Sequence, residues 1–301
     1  MRTTSCDCKT ISDALTDTVR IDALLAAGPT RSFEFFPPKT DEETAVLSAT
    51  LADLETLEPS FVSVTYRGGH AARQRTFDLV NAIERAGRLT AMAHVVCVGH
   101  TRAEMRQILS NYRDAGVENL MALRGDAPDD PVQASQFVHA LDLVELAREV
   151  GPFAIGVAAH PQGHPDSESF DADRRFLAEK LRVADFAVTQ FFFRAREWAA
   201  LVEDLGSRGV TKPVLPGIMP VTTLTGIERM ATMGAQVPEE LVERLVRADE
   251  RGGPAAVRAE GIGAAIELCR ELLAAGAPGL HFYTLNRSTA TREIHRALFA
   301  T

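Results

Sequence analysis

Ser32-Phe-Glu-Phe-Phe-Pro-Pro38 sets the grammar of this chain: an apolar run that carries one carboxylate and is cut short by two prolines. Proline cannot donate to a sheet ladder, so Pro37 and Pro38 end a strand at once. Alternation along a strand puts Phe33 and Phe35 on one face, with Glu34 and Phe36 on the other. Working outward, runs of the same kind begin near Arg31, Phe61, Thr90, Asn119, Phe153, Phe186, Val214 and Gly279. The first six gaps are 28 to 34 residues, each long enough for one crossover helix. Eight such units close into an α/β fold, a (β/α)8 TIM barrel, whose catalytic groups sit at the C-terminal ends of the strands. Glu34, Thr65, His94, Asp126, His160 and Gln190 are therefore expected to face one mouth, as in an enzyme rather than a scaffold.

Residues 1–30 read as an N-terminal extension: a polar tail, then a helix from about Ile11 to Ala27 stopped by Gly28-Pro29. Residues 31–301 form the single catalytic barrel. Helical periodicity follows the strands at about 41–57, 71–87, 102–115, 133–150, 170–183 and 196–208. Thr101 with Glu104 has the spacing of a capping box, and Asp171 is expected to cap the helix carrying Leu177 and Leu181. The seventh unit is extended, with 65 residues between Val214 and Gly279. Helical segments fit at about 222–234, 238–248 and 254–275, the last two separated by Gly252-Gly253-Pro254. A final helix, about Ser288 to Phe299, closes the ring.

At 301 residues the chain suits one barrel, and its net charge of -9 leaves no basic excess for a nucleic-acid surface. No apolar run approaches membrane-span length and no secretory signal opens the chain, so no membrane partner and a cytoplasmic protein are expected. Cys97 and Cys269 read as buried thiols. Cys6 and Cys8 read as incidental to a tail, because no companion His or Cys pair lies near them, and no metal site is expected.

Glu34 admits two readings. It is a buried carboxylate neutralised by a neighbouring Arg, or a carboxyl whose apolar surroundings raise its pKa so that it holds a proton near neutral pH. The prolines that place it near the mouth favour the second. Gln190 offers donors and an acceptor together, as the lactam edge of a pterin or a nicotinamide amide requires, or is a buried structural amide.

Ser32-Phe-Glu-Phe-Phe-Pro-Pro-Lys39, Phe61-Val-Ser-Val-Thr-Tyr66, Ala122-Leu-Arg-Gly-Asp126, Thr189-Gln-Phe-Phe-Phe193 and Leu280-His-Phe-Tyr-Thr-Leu-Asn-Arg287 together resemble the 5,10-methylenetetrahydrofolate reductase family, in its order and across residues 31 to about 299. The resemblance implies a bound FAD that takes hydride from NADH or NADPH and passes it to the one-carbon unit of methylenetetrahydrofolate, giving 5-methyltetrahydrofolate. That carbon accepts hydride only after its ring opens, which needs a proton on the departing nitrogen, and Glu34 matches the family's acid. Asp126 matches the carboxylate between flavin and pterin, and Arg124 and Gly125 match flavin contacts. Thr65 and His94 match positions near the flavin ring, though a lone histidine at such a place is more often core. His164 matches a contact to the FAD diphosphate region, and His160 stands where an aromatic is usual. Asp173 and Lys180 have the family's spacing for ribose and phosphate contacts, with a solvated surface pair as the alternative. Gln190 matches a residue serving both substrates. Leu224 takes the place of an aromatic against the folate, and Tyr283, Leu285 and Arg287 match positions near folate or nicotinamide.

Arg67 before Gly68-Gly69, and a stretch from Leu181 to Phe186 one residue shorter than usual, depart from the family's flavin contacts. They keep open a flavin-independent reductase of the same substrate; a non-catalytic folate- or flavin-binding protein is a separate alternative, against which Glu34, Asp126 and Gln190 speak, because binding alone needs no acid. The family that the chain resembles is commonly a homo-oligomer, and the sequence leaves the oligomeric state open. The resemblance implies no S-adenosylmethionine feedback, because the chain ends just after the barrel.

Overall fold

The structure is a computed structural model and describes residues 19–66, 70–125 and 136–299. Eight parallel strands close in sequence order into a barrel: β1 (Thr30–Phe35), β2 (Phe61–Val64), β3 (Ala91–Val96), β4 (Asn119–Leu123), β5 (Ala154–Ala159), β6 (Phe186–Phe191), β7 (Val214–Ile218) and β8 (Gly279–Tyr283). Each begins within one residue of the expected position. β1 pairs with β2 through Glu34 opposite Ser63, and with β8 through Ser32 opposite His281 and Glu34 opposite Tyr283.

The helices on the outside are α2 (Asp41–Glu55), α3 (His70–Ala86), α4 (Arg102–Asp114), α5 (Ala140–Val150), α6 (Phe170–Val183), α7 (Ala195–Ser207), α8 (Leu224–Thr232), α9 (Glu239–Ala274) and α10 (Thr289–Phe299). Phe33 and Phe35 join Val62, Val64, Ala93 and Val95 in one core with Leu47, Leu54, Met105 and Leu109 from those helices. The alternation anticipated for β1 therefore holds: the phenylalanines lie under helices and Glu34 points into the barrel. Cys97 and Cys269 are buried, and burial pushes both thiols up to about 12. Cys6 and Cys8 lie outside the described residues. Among those residues no helix is long and apolar enough to cross a membrane.

Of the helix expected from about Ile11 to Ala27, the described residues show α1 (Ile21–Ala27); Val19 and Arg20 are not helical, because Arg20 is the extended N-cap. α1 closes the floor of the barrel. Ile21 and Leu25 pack on Phe61, Met92, Met121, Phe186, Val188 and Leu215, all directed inward from their strands. Burying each such side chain contributes about 1.5–3 kcal/mol. The buried Asn119 at the start of β4 secures this plug, accepting from the Ile21 amide at 2.8 Å and donating to the Val19 carbonyl at 3.2 Å.

Two further helix boundaries differ from expectation. The helix read at 133–150 begins only at Ala140, because His139 is extended at its N-cap. The cap of α6 is Ser169, whose side chain accepts from the Ala172 amide at 3.1 Å, while Asp171 sits in the first turn. Ser169 is the residue with extended backbone, so only its oxygen can reach back into the turn. In α9 the expected break is present: Gly252 and Gly253 leave helical geometry just before Pro254 and divide it into two helical stretches. Thr101 does form the capping box with Glu104. Thr101→Ala should lower stability by about 1 kcal/mol, read from urea or thermal unfolding, with activity unchanged.

Candidate active site

At the C-terminal ends of the strands lies a chamber of about 210 Å³. Its wall includes Glu34, His94, His160, Gln190, Tyr283 and Leu285, together with the apolar Met92, Met121, Met219 and Met233. The anticipated convergence is therefore observed for four of the six mouth residues. Thr65 is buried just beyond β2, outside that wall, and its Oγ1 has no hydrogen-bond partner among the described residues. Asp126 lies outside the described residues.

Glu34 is 8% exposed and has two imidazoles against one oxygen. Its Oε2 lies 3.4 Å from His94 Nε2 and 3.4 Å from His281 Nε2, and accepts from Ser63 Oγ at 3.3 Å. The His94 contact has ion-pair distance without hydrogen-bond alignment. Burial alone pushes the carboxyl up, as the sequence suggested. The attraction of His94 and the hydrogen bond from His281 outweigh it and bring Glu34 down to about 2. The expectation of a raised pKa is thus corrected: an apolar segment in sequence placed the acid beside two bases in space. The charge-charge part of that depression exists only while an imidazole carries a proton.

After β4 the backbone turns through Gly125 with φ +86°, a left-handed conformation. A Cβ there would overlap the Val96 side chain and stand 2.9 Å from Val98 Cγ1. Gly125→Ala should therefore combine backbone strain with overpacking and cost about 1–3 kcal/mol, measurable as a fall in melting temperature. Arg124 is exposed, donating to the Gly125 carbonyl at 3.2 Å and lying 3.5 Å from Asp166.

The β5–α6 segment carries a second cluster. His160 and His164 meet edge to face with ring centroids 4.6 Å apart. Burial, then the nearby His164, Lys180 and Arg174, lowers His160 to about 3, which leaves a neutral ring at physiological pH. Lys180 donates to the Ala158 carbonyl at 2.8 Å, and burial lowers its ammonium to about 8 against the opposing pull of Asp173. Asp173 in turn pairs with Arg174 at 2.9 Å and is 12% exposed. Asp173 and Lys180 are thus inward-held groups and not a solvated pair. His164 also borders a larger groove of about 760 Å³, between this loop and the chain following α8.

Between Val188 and Phe191 the register of β6 against β7 shifts. Such irregularities re-aim side chains near sites, and this one falls at Gln190. The Gln190 side chain donates to the Met233 carbonyl at 3.0 Å and accepts from the Phe191 amide at 3.1 Å. Tyr283 donates to the Thr189 carbonyl at 2.7 Å, and burial with the Glu34 charge pushes its phenol well up. Leu285 has φ +52° and is 38% exposed beside the chamber. Leu224 is half-buried at the start of α8 and Arg287 is exposed, and neither is part of the chamber wall.

Three residues of this region carry no sequence-level reading. Arg174 is 1% exposed and donates to the His160 and Pro161 carbonyls at 2.8 and 2.7 Å, fixing the loop that holds both histidines. Asn286, at φ +58°, brackets Phe36 by accepting from its amide and donating to its carbonyl, and so ties the end of β1 to the turn after β8. His281 is fully buried on β8. Its signal was present, because alternation along Gly-Leu-His-Phe-Tyr puts His281 and Tyr283 on one face.

Comparison with known proteins agrees with this architecture. In one solved structure, an uncharacterized protein from Clostridium thermocellum that binds two copies of 5-methyl-5,6,7,8-tetrahydrofolic acid, the same fold recurs with TM-score 0.65 and 12% identity, over 92% of this chain and 96% of that one. The 5,10-methylenetetrahydrofolate reductases of Pectobacterium carotovorum and Escherichia coli K12 are each 34% identical over 269 residues, covering 89% of this chain and 89% and 90% of theirs. An Arabidopsis thaliana methylenetetrahydrofolate reductase (NADH) is 34% identical over 85% of this chain and 46% of its own length. The family model for methylenetetrahydrofolate reductase matches residues 20–298, a span running from the floor plug to the last helix, and the chain belongs to that family.

Proposed function

We propose that the methylenetetrahydrofolate reduction this family carries out runs here on NADH or NADPH through FAD held at the mouth, yields 5-methyltetrahydrofolate, and takes its proton from Glu34. The observation that carries the reading is the placement of Glu34: a nearly buried carboxyl on the wall of an apolar chamber, with the Gln190 amide on the same wall. Bound FAD would supply the redox relay between nicotinamide and folate.

The residues present fit that group. Thr65 Oγ1 is a buried hydroxyl in need of a partner. Lys180 commits one donor of its ammonium to the Ala158 carbonyl and, with His164, offers positive or donating groups to a diphosphate. Gly125 presents backbone without a side chain beside Arg124. Asp173 and His160 complete the cofactor side of the reading, with Asp126 assigned there on the family motif alone. On the substrate side, Gln190 would exchange its Met233 bond for the pterin or nicotinamide amide. Tyr283 and Leu285 would pack against the ligand, and Leu224 and Arg287 would meet its outer part. His94 and His281 hold Glu34 in place, and the surrounding methionines exclude water from the proton's path.

The test is the visible spectrum of the purified full chain together with NADH- or NADPH-dependent formation of 5-methyltetrahydrofolate. A flavin absorption band and turnover support the reading. A colourless but active protein would replace it with direct transfer from nicotinamide to folate. A colourless protein that stays inactive after FAD is added would replace it with a binding protein.

A further inference from the structure

Glu34 faces a problem as an acid: two bases keep its charged form stable, so its proton must come from somewhere close. The barrel interior behind it answers this. His281 Nδ1 lies 2.8 Å from Ser32 Oγ, and the Ser32 hydroxyl also reaches the Leu280 carbonyl at 3.4 Å as donor. With that hydroxyl proton directed to Leu280, Ser32 accepts from His281, which fixes the proton of Nδ1. His281 Nε2 then faces Glu34 Oε2 at 3.4 Å. Two bare acceptors at that distance repel, so a proton belongs between them, on the imidazole or on the carboxyl. Ser63 Oγ touches both atoms, at 3.3 Å from Glu34 and 3.5 Å from His281.

We propose that His281 is a positioning residue and proton reservoir for Glu34: the two share one proton across their contact, and Ser32 orients the imidazole so that this proton passes to the carboxyl when folate is bound. This rests on the assignment of Glu34 as the acid. The balance is simple. The proton moves from His281 Nε2 to Glu34 Oε2 and then to the departing nitrogen of the folate ring. The neutral imidazole and the carboxylate regain one proton from solvent before the next turnover.

The ionisable groups facing the pair are few. From β3 His94 lies against Glu34, and from β8 the Tyr283 ring meets His281 edge-on with centroids 5.4 Å apart. Phe61 stacks on the other side of His281 at 6.1 Å, and Ser32 and Ser63 come from β1 and β2. Tyr283 stays protonated, since burial and the Glu34 charge both disfavour its anion. His94 is the other imidazole against Glu34, and its Nε2 has no aligned hydrogen-bond partner.

Histidine-ring NMR on the full chain, with His281 assigned by its loss in His281→Gln, tests the pair without any turnover. Glu34→Gln should change the ring-nitrogen shifts and the Nε2 proton signal of His281, and Ser32→Ala should change the Nδ1 signal. Superimposable His281 ring signals in wild type and Glu34→Gln would overturn the shared proton. Rapid mixing tests the use made of it. In His281→Gln and Ser32→Ala the alkaline limb of folate reduction should shift to lower pH, with about a tenfold loss at pH 8, while the nicotinamide half-reaction keeps the shape of its pH profile. A uniform loss at every pH would mark a merely structural role and overturn the proposal; Ser32→Ala, the smaller change, keeps this readable if His281→Gln fails to fold. Should Glu34→Gln itself retain folate reduction, the acid assignment fails, and the NMR coupling distinguishes that failure from failure of the pair.

Discussion

Glu34→Gln should slow reduction of methylenetetrahydrofolate by about a hundredfold to ten-thousandfold, the usual contribution of a positioned general acid. Flavin reduction by NADH or NADPH should persist in the same variant. The two outcomes separate because the glutamine amide keeps the volume of the carboxyl and can still meet Ser63, His94 and His281, but its N–H groups are far too weakly acidic to transfer a proton to the folate nitrogen. Stopped-flow spectroscopy of each half-reaction measures this directly. Loss of both halves would show that Glu34 serves the cofactor or the fold instead. Replacement of a charge that two imidazoles have been solvating should leave one of them without its partner, so a modest loss of stability accompanies the variant.

Arg174→Met should be the most destabilising single change in the β5–α6 segment, at about 3–5 kcal/mol, the range for removing one member of a buried ion pair. The guanidinium is 1% exposed, pairs with Asp173 at 2.9 Å, satisfies the carbonyls of His160 and Pro161, and lies 4.1 Å from the centre of the Phe170 ring. Methionine fills much of the space but strands the carboxylate and both carbonyls. Because those carbonyls belong to the turn that positions His160 and His164, FAD affinity should fall along with the melting temperature. Differential scanning calorimetry and flavin titration read the two effects separately. A variant with wild-type stability would mean that Asp173 finds another partner and that the turn is held by something else.

Strand positions were legible because a parallel barrel buries every strand on both faces, so each one shows as an apolar run whatever its neighbours are. That is why β1 to β8 begin where expected. Capping was legible where it is local, as at Thr101, and misplaced where the choice between Ser169 and Asp171 depended on the backbone angle of one residue. Charge states were the least legible. Nothing in Ser32-Phe-Glu-Phe announces that His94, 60 positions on, and His281 from the last strand will stand against the same oxygen. Arg174 sits in Asp-Ala-Asp-Arg-Arg, a charged run in which nothing local marks one member as buried. Its burial arises only when the preceding loop folds back over the helix start. Asn286 is similar: its left-handed backbone and its clasp on Phe36 are products of the closing of the ring.

The engagement of Gln190 carries a consequence for selectivity. Its amide is already satisfied at both ends, by the Met233 carbonyl and the Phe191 amide. On the proposed reading, an incoming molecule swaps partners with the protein and gains only the net worth of a hydrogen bond, about 0.5–1.5 kcal/mol, while the Met233 carbonyl it releases lies at an exposed position where water can replace the lost partner. Grip is thereby modest. Two chemically different guests, each with a complementary amide edge, would then take turns at one position without either becoming trapped there.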